Sequence, residues 1–483
     1  MPFRHLLWLV LAATVFHCLG NWALPLIDRD EPRFAEASRE MLQRGDPIVP
    51  YFNGRVRFDK PPLIYWLQCG AYRLLGDNEF AARLPSALCA ALTAVALAVW
   101  GARFFDATTG WRAALIFSTC VQTIVHARAA VADMVMVLFV TLAAWAAWEW
   151  RRVAATNTNP RREWLAAVGF ALALGFGFLA KGPIAWLPLG MVWWSGLPPA
   201  AARGRHAFQW AAVVILSLGA VALWGIPALI KTGGEFARIG LGKHVVARSI
   251  APMEGHGGGD LWSYLGMLPM YLVTVWISFF PWSIWLPSTA RYAFARGAER
   301  RSDERYLLAG VILCFGIFTL VRTKLPHYTL PAFPFLALLV AAWWRESAQP
   351  VEAFRRVLVR TGLVALLVFL VAIPIGARQF PAEALFRQAA PLLRRDMVLA
   401  TVDYDEPSLV WNFRRSCDGF QTKVKDSQLV DWLAQPGGRV AIMSEKTAAH
   451  LAADFDPQWP LFRADGWHPV KGRRVRLALI VKP

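Results

Sequence analysis

Asp28, Asp30 and Glu31 stand together at the end of the first apolar run, and Arg55, Arg57, Asp59 and Lys60 follow in the same loop. A carboxylate at a membrane surface can take a proton from an acceptor hydroxyl or orient a substrate. Cations there can hold a phosphate. A second carboxylate, Asp133 in HARAAVADMVM, begins another apolar run. An aspartate in such a run costs about 2.5–3.5 kcal/mol on insertion scales, so it must face protein or water. The bland alternatives are a helix cap for Asp30 and a salt bridge with Arg128 for Asp133. Further cations recur at the ends of apolar runs: Lys181 in FLAKGPIAW, and Lys324 with His327 in RTKLPHYTLP. Singly, each would serve as a boundary anchor. Gathered at one face, they argue for an anion at the interface, most simply a phosphate. The stretch KTGGEFARIGLGKHVVARSIAPMEGHGGGD carries His244, Arg248, Glu254 and His256 among glycines suited to a mobile lid. His244 with Asp59 offers a pair for a divalent ion; solvated loop residues are the alternative.

These groups need a membrane scaffold. The 483 residues are 56% hydrophobic and 17% charged, where soluble domains carry about 25% charge. The 24 Trp and 30 Phe fit lipid-facing and interfacial positions. The net charge of +18 lies largely in short loops between apolar runs. That is the positive-inside pattern or attraction to anionic lipid, and no basic nucleic-acid module is present. The six Cys show neither CxxC nor metal spacing, so disulfides are not expected. The N-terminal run lacks a small-residue cleavage site and reads as a retained first span.

About twenty apolar residues cross a bilayer. That length predicts about eleven spans, near 6–27, 81–104, 110–127, 131–150, 163–180, 183–198, 207–230, 263–289, 306–322, 327–344 and 357–377. Pro281 and Pro287 mark the eighth as kinked or split. Loops rich in Arg alternate with poor ones, which sets the loops 28–80 and 231–262 and the tail on the outer face. The expected organisation is a polytopic α-helical domain over 1–377 and a small α/β domain over 378–483. In the tail, MVLATVDY, RVAIMS and VRLALIV read as strands, while SQLVDWLAQ and EKTAAHLAADF read as helices. No Gly-rich phosphate loop opens those helices, so no catalytic role is assigned there. The first outer loop holds two helices, Asp30 to Gly45 and Pro61 to Gly76, expected to lie along the membrane as an interfacial platform.

The residues alone thus describe a membrane protein handling an anionic lipid or lipid phosphate at its outer face, as transferase or transporter. A transporter should show an internal repeat and broken helices near mid-membrane. No repeat is evident, and the ionisable groups gather at span ends, which favours surface chemistry.

DEPRFAEASREMLQRGDPIVPYFNG, FDKPPLIYW followed by ARLPSAL, RAAVADM, AKGP and KLPHYTLP occur in that order over residues 1 to about 345. In these motifs the chain resembles the polyprenyl-phosphate-dependent glycosyltransferases of the GT-C class, relatives of the protein O-mannosyltransferases. Within that class it is most similar to the lipid A aminoarabinose transferases. The resemblance implies a bacterial inner-membrane enzyme with a periplasmic site. It would move a sugar from undecaprenyl phosphate to lipid A or another envelope acceptor, with inversion. Asp30 would be the catalytic or acceptor-positioning carboxylate, with Glu31 beside it. Asp133 and Arg128 match a second outer motif. Lys60 would contact the carrier phosphate, with Arg57, Lys181, Lys324, His327 and Tyr328 completing its surroundings and Arg248 accessory. Asp59 stands where aminoarabinose transferases commonly carry Glu, which shortens the reach to any metal shared with His244. No cofactor is required, and a divalent ion is the one candidate. A protein O-glycosyltransferase of the same fold is the alternative, and a lipid-linked-sugar flippase is the rival of a different class. Sugar appearing covalently on an acceptor separates them.

Overall fold

The computed structural model describes residues 2–156, 159–194, 203–247, 260–295, 302–417, 419–468 and 470–483. The chain divides into two compact units. The first holds residues 1–18, 58–64 and 83–364; the second holds 19–57, 65–82 and 365–483. Among the described residues, six helices are long and apolar enough to cross a membrane: Glu79–Phe104, Asp133–Ala155, Pro160–Lys181, Ala207–Lys231, Pro326–Glu346 and Val351–Ala377. A shorter apolar helix, α1, covers Phe3–Cys18.

The first unit is helical. In chain order, α2 (Asp30–Arg44) and most of α3 (Leu63–Leu75) belong to the second unit; α4 (Glu79–Phe104), nearly all of it in the first unit, is followed there by α5 (Ala107–Thr119), α6 (Val121–Ala127), α7 (Asp133–Thr156), α8 (Pro160–Lys181), α9 (Leu187–Trp194) and α10 (Arg203–Lys231). Lipid gives no hydrophobic drive between helices, so small residues let backbones close up. A Cβ on Gly110 would stand 2.2 Å from the Ala98 carbonyl oxygen, so α5 meets α4 only with glycine there. α7 and α8 form an antiparallel hairpin. Glu149 near its loop end takes Arg103 at 2.8 Å and Arg162 at 2.6 Å.

Two expected single spans are broken. The run 110–127 bends at Cys120, whose backbone is extended between α5 and α6. The run 263–289 divides into Leu261–Gly266, Met270–Ser278, a tight turn at Trp282–Trp285 and Leu286–Ala295. Pro269, Pro281 and Pro287 remove backbone donors there.

The second unit carries a five-stranded sheet in the order β4-β3-β5-β7-β6, made of β3 (Val398–Thr401), β4 (Thr422–Lys423), β5 (Arg439–Ser444), β6 (Leu461–His468) and β7 (Arg473–Lys482). β4, β3 and β5 are parallel, while β7 is antiparallel to β5 and β6. Alternate residues of β5 and β7 bury opposite faces. Val440, Ile442, Leu477 and Leu479 meet Leu385 and Leu409, while Ala441, Met443 and Ile480 meet Leu429 and Ala448. Helices therefore cover both faces. The strand and helix segments read in the tail agree with these elements.

Most of the first outer loop, residues 28–57 and 65–80, belongs to this second unit. β1 (Tyr51–Phe52) and β2 (Arg55–Val56) make a hairpin. Its Asn-Gly turn has both residues left-handed, with φ of 51° and 72°, the pairing such turns demand. The dipeptide was a hairpin signal that the sequence reading passed over. A Cβ on Gly54 would stand 2.6 Å from the Phe420 ring, so glycine alone admits that ring.

α2 differs from the interfacial helix expected of it. Glu31, Glu36, Ser38 and Glu40 are buried along with Phe34, Ala37 and Met41. Ser38 bonds to Gln68 of α3 and Glu40 accepts from the Gly54 N–H, while the helix Pro407–Phe413 packs against α2. α3 keeps an amphipathic character, with Leu67, Leu74 and Leu75 exposed. Asp30 is the first helical residue and caps nothing, since the capping position is Arg29. Gly45 ends the helix with φ of 63°, as expected.

Candidate active site

In the first unit, the α7–α8 hairpin dictates the central contact. Asp133 begins α7 and Lys181 ends α8, so antiparallel packing sets them at one end. Each charge also suits its helix dipole. Lys181 Nζ lies 2.5 Å from Asp133 Oδ1. His327, on the turn Pro326–Ala332, brings Nε2 to 3.9 Å from the same oxygen. The His126 ring, on α6, lies 5.0 Å from the His327 ring. Tyr328 stands edge-on to His327 at 5.2 Å, with Lys181 Nζ 5.9 Å from its ring centre.

His126 was not singled out in the sequence. It lies in the quoted motif HARAAVADMVM, and its position ahead of Asp133 was the available signal. One donor atom from each of His126, Asp133 and His327 lies within 4.8 Å of the others. Two imidazoles and a carboxylate suit a divalent transition metal. Lys181 already sits on the same carboxylate oxygen, so an ion there would compete with it.

Beside this cluster lies a cavity of about 410 Å³. Asp59, Lys60 and Lys181 supply its polar lining, and Phe178, Leu218, Trp224, Ile226, Leu229 and Phe236 much of its apolar lining. The Lys60 ammonium donates to the Asp59 carbonyl at 3.3 Å. A wide helical stretch over Phe236–Ala247 contributes Phe236, Ala237 and Gly240 to the wall. Phe236 packs on Phe58 and Trp224, with ring centres 5.6 and 5.0 Å apart. Part of the supposed lid is thus cavity wall. The His244 side chain and Arg248, with Glu254 and His256, lie outside the described residues.

Two expected cations are engaged elsewhere. Lys324 Nζ donates to the carbonyls of Phe318, Thr319 and Val321 at 3.2, 2.6 and 2.7 Å, closing the end of the helix Ser302–Leu320. Arg128 Nη1 donates to the His17 carbonyl at 3.2 Å. It is therefore not the partner of Asp133, because the turn over 128–132 carries it toward α1.

The second unit holds Asp30, Glu31 and Arg57. Asp30 is exposed. Glu31 is buried and accepts from the Ile27 N–H at 2.8 Å. Arg57 is buried, its guanidinium 4.7 Å over the Phe34 ring.

Just ahead, the Asp28 carboxylate accepts from the Ser408 N–H at 2.8 Å and hydroxyl at 2.6 Å. Burial pushes its carboxyl up to about 6; the Ser408 bonds oppose this, Glu406 adds to it and Arg33 opposes it. The folded state therefore holds the Asp28 proton more tightly than the unfolded chain, whose value is about 3.9. This contribution is full below about pH 4 and is lost as pH rises through about 6. The melting temperature of wild type should accordingly fall relative to Asp28→Asn between pH 4.5 and 7.5. A pH-independent gap between the two proteins would contradict it.

The Asp133–Lys181 pair predicts a stability effect. Removing one partner of a buried pair costs about 3–5 kcal/mol. Asp133→Asn should melt well below wild type in detergent, and adding Lys181→Met should recover most of the loss. An unchanged melt for the single variant would remove the pair from the support of the fold.

Comparison with known proteins bears on this arrangement. The family described as dolichyl-phosphate-mannose-protein mannosyltransferase matches residues 59–224. The undecaprenyl phosphate-alpha-4-amino-4-deoxy-L-arabinose arabinosyl transferase 2 of Sodalis glossinidius (strain morsitans) is 32% identical over 65% of this chain and 55% of its own length. The corresponding transferase of Pectobacterium carotovorum subsp. carotovorum (strain PC1) is 33% identical over 69% of this chain and 57% of its own. The match therefore spans little more than half the length of these relatives. The crystal structure of ArnT from Cupriavidus metallidurans bound to undecaprenyl phosphate aligns with a TM-score of 0.75 at 19% identity, over 99% of this chain and 98% of that one. At that identity the likeness speaks for a common fold.

Proposed function

We propose that this chain is a polyprenyl-phosphate-dependent glycosyltransferase of the GT-C class, and that it moves a sugar from undecaprenyl phosphate to an envelope acceptor. Lipid A is the leading acceptor, and 4-amino-4-deoxy-L-arabinose or a related aminosugar the leading cargo. The observation that carries this is the pairing of Lys60 and Lys181 with an apolar cavity. A lipid phosphate needs both: cations for its head and a greasy wall for the start of its tail. The names of the relatives, undecaprenyl phosphate-alpha-4-amino-4-deoxy-L-arabinose arabinosyl transferases, favour the same donor.

The reaction follows from these groups. An acceptor oxygen attacks the anomeric carbon, and the bond from that carbon to the carrier phosphate oxygen breaks with inversion. The phosphate leaves with the electron pair, and Lys60 and Lys181 lower the barrier by meeting that charge. Asp133 holds Lys181 until the donor arrives, and His327 and Tyr328 flank it. No nucleotide is needed, since the donor is already activated. For a hydroxyl acceptor, Asp30 takes the proton. For a lipid A phosphate, already deprotonated near neutral pH, Asp30 orients the acceptor. A divalent ion held by His126, Asp133 and His327 would compete with the Lys181 ammonium for the Asp133 carboxylate.

The same reading sets the protein in a bacterial inner membrane with about eleven spans, the polytopic domain over 1–377, and the 378–483 domain and the site facing the periplasm. Mass spectrometry of lipid A from cells with and without the chain is the test. A sugar-sized increment on lipid A that requires Asp30 is the expected result. No increment, with expression verified, would overturn the lipid A assignment and turn the search to glycosylated envelope proteins.

A further inference from the structure

Asp30 follows directly on two residues whose side chains are both gripped by the C-terminal sheet domain. Asp28 is held by the N–H and hydroxyl of Ser408, at 2.8 and 2.6 Å. Arg29 reaches Glu406 with two nitrogens, Nε at 3.1 Å and Nη2 at 3.3 Å. Glu406 in turn lies 3.2 Å from Nε2 of His468, and the two are only 4% and 1% exposed. On the far side of Asp30, Glu31 closes back onto the Ile27 N–H at 2.8 Å.

The exposed carboxylate thus stands between neighbours fixed on both sides. A two-pronged arginine–carboxylate contact sets direction as well as distance. The Arg29 side chain stays 44% exposed while Glu406 is buried; burying that carboxylate merely to join two segments is costly, and apolar contacts would do that as well or better. What the charged contacts add is a defined orientation of the backbone at 28–30.

We propose that Glu406, Ser408 and His468 are positioning residues for Asp30, so that the C-terminal domain takes part in transfer without touching substrate. The proposal rests on the reading of Asp30 as the catalytic or acceptor-orienting carboxylate. A misplacement of about 1 Å can cost about 10²-fold in rate.

The test uses the full-length protein in detergent or proteoliposomes, with Glu406→Gln, Ser408→Ala and Asp30→Asn beside wild type. Donor and acceptor probes are undecaprenyl-phosphate-linked aminoarabinose and lipid A. Amide hydrogen exchange over 27–33 is read in parallel and needs no substrate. For Glu406→Gln we expect faster exchange at 27–33 and kcat lower by roughly 10- to 100-fold, with donor KM within about twofold and an unshifted melt. Ser408→Ala, which leaves the Ser408 N–H on Asp28, should show the same pattern more weakly.

Unchanged exchange at 27–33 in both variants overturns the clamp whatever the activity. Faster exchange with wild-type kcat, while Asp30→Asn is inactive, overturns the positioning role and leaves the Asp30 reading standing. Wild-type transfer by Asp30→Asn overturns that reading, and the proposal with it. Loss of kcat only in step with a falling melt in both variants assigns these residues to the fold alone.

Discussion

Asp30→Asn should lower sugar transfer by about 10²–10⁴-fold if the acceptor is a hydroxyl, the range expected for losing a general base. The substitution keeps size and removes only the charge and the basic oxygen. Asp30 is exposed and makes no cap, so its loss should leave yield and melting temperature near wild type. The size of the effect also reports the acceptor. A phosphate acceptor needs no base, and the loss should then shrink to that of an orienting contact. Single-turnover rates with excess enzyme give the number directly. Wild-type rates on every acceptor tried would take Asp30 out of the site.

Lys60→Ala is the second large effect. Its ammonium lines the cavity with Lys181, and in the proposed transfer the leaving group gains charge as the sugar departs. Losing one such stabilising group costs roughly 10²–10³ in kcat. Lys60→Arg keeps the charge with a bulkier, planar head and should fall between the two. A variant that only weakens donor binding would raise KM and spare kcat. That outcome would make Lys60 an anchor for the ground state and shift the burden of the leaving group onto Lys181.

Much of this site was legible because charge inside an apolar run needs a reason. Asp133, Lys181 and His327 were found that way. Their convergence was half legible too, since consecutive spans run antiparallel and the start of one must neighbour the end of the last. The same rule misled at Lys324. A cation at a span end can be satisfied by backbone carbonyls, and two carbonyls of the preceding helix with that of Val321 just past its end do so. Arg128 looked like the partner of Asp133 by proximity in sequence, but the intervening turn sends it to His17. His126 was hidden among apolar neighbours, with no periodicity to mark it.

The strands and helices of the tail were readable from their alternation. Its grip on the first outer loop was not, because Arg29 and Glu406 are 377 positions apart. Nothing local announces such a pairing. For the same reason α2 looked like a helix made to float on lipid, when its polar face is already covered.

α7 has a consequence for the bilayer itself. Between Asp133 and Glu149 it carries no charged residue, and at 1.5 Å per residue the two carboxylates are about 24 Å apart along the helix. An ordinary hydrocarbon core is about 30 Å thick. At least one carboxylate would therefore sit below the headgroups unless the lipid thins around it. Each has protein cations at hand, Lys181 at one end and Arg103 with Arg162 at the other. Most of this helix is enclosed by its neighbours, 78% of its apolar window being buried, so these cations let a carboxylate lie below the headgroups while the lipid around the protein keeps its ordinary thickness.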